Sequence, residues 1–290
     1  MSEFLVYDVF TDRPFGGNPL AVLPRAETIP ENRLQGIARE FNFSETVFVF
    51  PPEDPAHTAR LRIFTPVQEI PFAGHPTIGT AIALADLGHG PDQVLELGVG
   101  PVACRVSAGT AAFTIRRRAE VLAHPDADLV AACTGLPRSA IRTDRHPPVM
   151  ASVGLPFVLA ELDGPESLAQ AQPVTDAFRR AALTHPSEMG FAILVYTRDD
   201  TARGGFLRAR MFAPLDNIPE DPATGSAAAA LTAWLCDLEK TDRDLDIRQG
   251  EDMGRPSRIC CTGRRHADGS VAVEVSGRAV RVMQGRLTLD

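Results

Sequence analysis

Two stretches of the chain about 150 residues apart carry the same motifs in the same order. RIFTP at 62–66 is echoed by RMFAP at 210–214, and the Ile-Pro of 70–71 by that of 218–219. Two residues then drop out of the second copy, after which HPTIGTA at 75–81 lines up with DPATGSA at 221–227. Weaker echoes flank these. GNP at 17–19 resembles GLP at 154–156, and Gly98 and Gly100 resemble Gly250 and Gly254. Chance recurrence of Gly and Pro turns is the alternative, and two motifs recurring together and in sequence argue against it. A duplicated domain is expected, with 1–118 plus 278–290 as one unit and 119–277 as the other. Residues 118–128 are the expected crossover, and 279–289 alternate as a strand that closes a sheet in the first half.

Hydrophobic periodicity supports short strands around two core helices. Residues 3–10, 20–23, 46–50 and 59–64 read as strands, and 30–41 as an amphipathic helix. The run PTIGTAIALADL at 76–87 is apolar nearly all round, which suits a helix inside a core. Pro76 fits its first turn and Gly88 its stop. The second copy answers with AAAALTAWLCDL at 227–238.

Composition closes off several functions. The formal net charge is −8 and no basic stretch could follow a phosphate backbone, so no nucleic-acid partner is expected. No apolar stretch spans a bilayer, and the N-terminus lacks the basic region of a signal peptide, so no membrane is expected either. Five cysteines without a C-x-x-C pair favour reduced thiols, hence a cytoplasmic protein. Seven scattered histidines show no metal-ligand spacing, and there is no P-loop, G-x-S-x-G elbow or G-x-G-x-x-G opening a helix, so neither a metal nor an organic cofactor is expected.

The starts of the two core helices are where chemistry is expected. A buried helix N-terminus presents unpaired N–H groups and about half a positive charge. Gly74 and Thr77 in one copy, and Ala223, Thr224, Gly225 and Ser226 in the other, are small enough to let a carboxylate approach the backbone. If both starts face one cleft between the units, a small anionic substrate is clamped there. His75 and Asp221 are equally explained, one at a time, as ordinary helix caps. Glu45 opens the strand at 46–50. That is usually a solvated strand end, but in a closed apolar cleft such a carboxyl could exchange protons near neutrality. Ser226, His75 and Asp221 contain the letters of a hydrolase triad, but a serine in a helical first turn lacks the strained elbow that chemistry needs. The turn-rich stretch 249–257 could contact substrate or simply turn the chain.

FGGNPLAVL (15–23), NFSETVFV (42–49), RIFTPVQEIPFAGHPTIGTA (62–81), EDPATGSAAAAL (220–231) and QGEDMGRPS (249–257) resemble the phenazine-biosynthesis protein F (PhzF-like) isomerase family over nearly the whole chain. The resemblance implies a diaminopimelate epimerase-like α+β fold. In it, two pseudo-symmetric domains each wrap a curved, mostly antiparallel sheet or barrel round a central helix. It also implies a homodimer and a cofactor-independent proton shift on a small cyclic carboxylate resembling trans-2,3-dihydro-3-hydroxyanthranilate. By matching motifs, it implies Glu45 as the proton-transfer group, with His75 and Asp221 flanking the substrate and Gly74, Gly225 and Ser226 holding it. Phe43 stands where the family usually has Leu, which puts the founding substrate in question. Two other functions compete with this one. An epimerase or racemase of a small amino acid would use a cysteine at each helix start, and none of the five lies there. A non-catalytic small-molecule-binding protein of the same fold would be free to lose Glu45, His75 or Asp221, and all three are present.

Overall fold

A computed structural model describes residues 2–187, 190–199 and 206–289. The chain forms two compact units, residues 1–114 with 275–290, and residues 115–274. The first unit holds β1 (Ser2–Val9), β2 (Asn18–Leu23), α1 (Leu34–Phe41), β3 (Glu45–Phe50), β4 (Ala59–Phe64), β5 (Glu69–Ile70), α2 (Gly74–Asp86), β6 (Asp92–Leu97), β7 (Gly100–Ser107) and most of β8 (Thr110–Arg117). The second holds β9 (Glu120–Ala123), α3 (Ala127–Thr134), β10 (Val149–Ser152), β11 (Pro156–Glu161), α4 (Pro165–Gln170), α5 (Thr175–Thr184), β12 (Ile193–Asp199), β13 (Phe206–Ala213), β14 (Ile218–Asp221), α6 (Gly225–Glu239), β15 (Arg243–Gln249) and β16 (Ser257–Arg265). The last strand, β17 (Val271–Leu287), begins in the second unit and returns to the first, where Ala279 pairs with Val9 and Leu287 with Ser2. The chain changes unit within β8 and within β17. The stretch 118–128, expected as the crossover, instead contributes β9 and the start of α3 to the second unit.

The duplication is visible in the strand pairing. In the first unit β1–β2 is antiparallel, β2–β3 parallel, β3–β4 and β4–β5 antiparallel, β4–β6 parallel and β6–β7 antiparallel. The second unit repeats that sequence of senses through β10, β11, β12, β13, β14, β15 and β16. In each unit one helix packs against the equivalent strands: α2 on β1, β2, β6 and β7, and α6 on β10, β11, β15 and β16. Both helices are apolar all round because both are enclosed. Gly79 shows how closely α2 is held. A Cβ there would lie 2.6 Å from both the Leu20 Cδ2 and Val9 Cγ2 atoms. The helix α1, amphipathic as expected, instead lies on the outer face of its sheet, with Leu34, Ile37 and Ala38 joining a cluster around Phe48 and Phe64. It stops at Asn42, whose left-handed φ of 52° ends the helix three residues before Glu45.

Pairing register corrects the sequence alignment of the two copies. Ile63 pairs with Ile70, and its counterpart Met211 pairs with Asp221, so Asp221 occupies the place of Ile70. A Cβ on Gly98 would lie 2.8 Å from the Pro71 Cα, and one on Gly250 would lie 2.7 Å from the Pro222 oxygen. Those two contacts equate Pro71 with Pro222. The core helices then begin together at Gly74 and Gly225, which makes Ser226, not Asp221, the counterpart of His75. The H-P-x-x-G and D-P-x-x-G strings are out of register because the segment from Met211 to Asp221 is three residues longer than that from Ile63 to Ile70, whereas the string match makes the second copy two residues shorter, so a proline match on paper spans two different turns. Gly17 and Gly154, and Gly98 and Gly250, do occupy equivalent places.

Candidate active site

Within the first unit, three backbone elements bring Asn18, Glu45 and His75 together. Gly17 turns the chain into β2 with φ of 62°, a conformation glycine adopts without strain, and a Cβ there would sit 2.3 Å from the Val9 oxygen. That delivers Asn18, fully buried, as the first residue of β2. The parallel pairing of Leu20 with Glu45 sets β3 beside it. The helix α2 begins at Gly74, two residues before the expected Pro76. Proline is tolerated there because the first turn has no intrahelical N–H bond to lose. His75 is thereby in the first turn, buried, with its Nδ1 atom 3.3 Å from Glu45 Oε2 and 3.3 Å from Asn18 Nδ2. The Ser44 hydroxyl donates to Asn18 Oδ1 at 3.4 Å.

Burial sets the protonation of this group. Desolvation pushes the His75 imidazole down to about 3, against a smaller opposing effect of the Pro19 carbonyl, so the ring is neutral at physiological pH. Its Nε2 atom is buried with no hydrogen-bond partner among the described residues. A neutral ring has one donor and one acceptor nitrogen. Asn18 Nδ2 can only donate, so the Nδ1 atom facing it is the acceptor nitrogen, and Glu45 Oε2 lies in close contact with Nδ1 rather than hydrogen-bonded to it.

Asp221 lies in the second unit as the last residue of β14, not in a helical turn, and is buried. The Thr224 hydroxyl donates to its Oδ2 atom at 2.5 Å. Gln249, the last residue of β15, donates from Nε2 to the Asp221 carbonyl at 2.7 Å and to Thr224 Oγ1 at 3.1 Å, and accepts the Thr224 N–H at 3.3 Å. Gly225 and Ser226 open α6, both buried. Glu45, His75 and Gly74 thus meet in the first unit, and Asp221, Gly225 and Ser226 in the second. Sequence reasoning passed over Asn18 and Ser44, named Thr224 only as a small residue at a helix start, and left Gln249 within a stretch that could contact substrate or turn the chain. The available signal was that all four are polar residues inside motif stretches flanked by Gly, Pro or apolar strand. Among the described residues no three of His, Cys, Asp or Glu are grouped to hold a metal ion, and no helix is long and apolar enough to cross a membrane.

The two copies are polar in different places. Register equates Glu45 with Ala192 and Asn18 with Leu155, because Thr46 pairs with Phe64 as Ile193 pairs with Phe212, and Ala21 with Thr46 as Val158 with Ile193. Conversely Asp221, Thr224 and Gln249 replace Ile70, Ala73 and Leu97. Each unit keeps one acidic side chain near the start of its core helix, at non-equivalent positions.

Fold and site together define an α+β protein of the diaminopimelate epimerase-like type, duplicated internally, with a carboxylate–imidazole pair at one core helix. The family described as phenazine biosynthesis-like protein matches residues 7–285, and the chain belongs to that family. It is 40% identical over 297 residues, 98% of each chain, to an uncharacterized isomerase of Mesorhizobium japonicum. It is 35% identical over 298 residues, 100% of each chain, to the trans-2,3-dihydro-3-hydroxyanthranilate isomerase of Pseudomonas aeruginosa. The crystal structure of a PhzF-family phenazine biosynthesis protein from Bacillus anthracis superposes with a TM-score of 0.87 over 99% of each chain at 22% identity. The chain is an isomerase.

Proposed function

We propose that this isomerase moves a proton between carbons of a small cyclic carboxylate resembling trans-2,3-dihydro-3-hydroxyanthranilate, with Glu45 as general acid and base and without a cofactor. The observation that carries the reading is the 3.3 Å approach of Glu45 to a buried, neutral His75 at the start of α2. In the step, a C–H bond breaks and its proton passes to the Glu45 carboxylate. The electron pair shifts through the adjacent double bond, and the proton is returned to another carbon. One group can do both transfers when it accepts the proton and returns it from a position within reach of both carbons. Gly74, Gly225 and Ser226 offer helix-start N–H groups to the substrate carboxylate. Asp221 supplies a second carboxylate that contacts the substrate without carrying the proton.

The test is turnover of trans-2,3-dihydro-3-hydroxyanthranilate by wild type and by Glu45→Gln, run in light and heavy water. The substitution keeps size and removes the transferable proton. Turnover should fall by about a hundredfold or more while melting temperature stays near wild type. Near-normal turnover in the variant would end the one-base scheme.

A further inference from the structure

Three polar side chains in the second unit occur together where the first unit has none. Asp221, Thr224 and Gln249 occupy the places of Ile70, Ala73 and Leu97. The turn they hold does not need them. In both units it is packed by a glycine set against a proline, Gly98 on Pro71 and Gly250 on Pro222. The first unit makes the same turn with apolar residues. Buried polar groups cost stability unless fully hydrogen-bonded, so three of them at one turn call for a reason beyond folding.

Their hydrogen bonds run in one direction only. The Thr224 N–H can only donate, so the atom of Gln249 facing it at 3.3 Å is the carbonyl Oε1. That leaves the amide N–H groups facing the Asp221 carbonyl, which can only accept, and Thr224 Oγ1. With its lone pair engaged by Gln249, the Thr224 hydroxyl has one proton to give, and Asp221 Oδ2 lies 2.5 Å from it. A hydroxyl held this way aims its proton at the Asp221 carboxyl and fixes the plane of that group.

We propose that Gln249 is a positioning residue for Asp221: its side-chain amide braces the turn at 221–224 and orients the Thr224 hydroxyl onto the Asp221 carboxylate. The proposal rests on the reading that Asp221 contacts the substrate. It also assigns the Gln-Gly pair at 249–250, with Gly250 allowing the strand end to close on Pro222 and Gln249 gripping what lies there.

The experiment measures kcat, KM and melting temperature for Gln249→Leu, Thr224→Val, Thr224→Ser, Asp221→Asn and the pair Gln249→Leu/Asp221→Asn, with trans-2,3-dihydro-3-hydroxyanthranilate as substrate. Gln249→Leu installs the first unit's residue and should lower kcat about tenfold while KM changes little. Thr224→Val should do the same, and Thr224→Ser, which keeps the hydroxyl, should restore kcat. In the Asp221→Asn background, Gln249→Leu should add almost nothing, because both act through one carboxylate. Wild-type kcat in Gln249→Leu alongside an impaired Asp221→Asn would overturn the positioning role alone. Wild-type kcat in Asp221→Asn would overturn the role of Asp221 and the proposal with it. If Gln249→Leu does not fold, the Thr224 pair decides: equal kcat in Thr224→Val and Thr224→Ser overturns the relay.

Discussion

Glu45 Oε2 and His75 Nδ1 stand 3.3 Å apart at the first turn of a helix that is enclosed on every side. The imidazole is not the cation of an ion pair, because its burial keeps it neutral down to about pH 3. The contact is therefore not one of charge attraction, and the burial of the ring makes stability depend on pH in a defined direction.

His75 titrates near 6.5 when unfolded and near 3 when folded, so between those values the unfolded chain binds the extra proton. Its contribution is fully present above about pH 6.5 and is lost as pH falls towards 3, at up to about 1.4 kcal/mol per pH unit. His75→Gln removes this component. Urea unfolding at pH 7 and pH 4.5 should show wild type losing about 2 kcal/mol more than the variant on acidification. Parallel losses in both proteins would count against the assignment.

Asp221→Asn should reduce turnover by about tenfold or more, and by clearly less than Glu45→Gln does. The amide retains size and can still accept from Thr224, but it no longer draws the hydroxyl as a carboxylate does. A larger loss at Asp221 than at Glu45 would transfer the proton-carrying role to the second unit.

Thiol reagents should leave activity intact. Burial pushes Cys104 and Cys261 up to about 12 and Cys133 up to about 11, and it raises Cys236 and Cys260 as well. Little thiolate is then present at pH 7.5. Iodoacetamide should modify the native protein slowly and without loss of turnover. Inactivation in step with alkylation of one cysteine would favour the two-thiol chemistry of a racemase.

Gly79→Ala and Gly36→Ala should move stability in opposite directions. Both sit in helices, but a Cβ at Gly79 meets Leu20 and Val9, whereas one at Gly36 meets nothing within 4 Å. Gly36→Ala should stabilise by about 0.5–1 kcal/mol and Gly79→Ala should destabilise by about 1–3 kcal/mol. Thermal melts of the two variants would show it, and a stable Gly79→Ala would mean α2 can shift away from β2.

The sequence by itself determined that the chain is duplicated, that each copy encloses an apolar helix, and which short stretches carry the chemistry. Those properties are local: a helix apolar all round has nowhere to go but a core, and Gly and Pro punctuate turns wherever they occur. It placed Glu45 at a strand start, His75 and Gly74 before a core helix, and the final strand in the first unit. Only the tertiary structure decided which residues correspond between copies. Strand register is set by pairing with a distant neighbour, Ile63 with Ile70 and Met211 with Asp221, and no local string records it. Three extra residues between Met211 and Asp221, invisible in the strings, let His75 align with Asp221 on paper, when the counterpart in space is Ser226. The roles of Asn18, Thr224 and Gln249 were hidden for the same reason. A buried side-chain amide is defined by the donors and acceptors that folding brings to it, and those lie 57 residues from Asn18 and 25 and 28 residues from Gln249 along the chain.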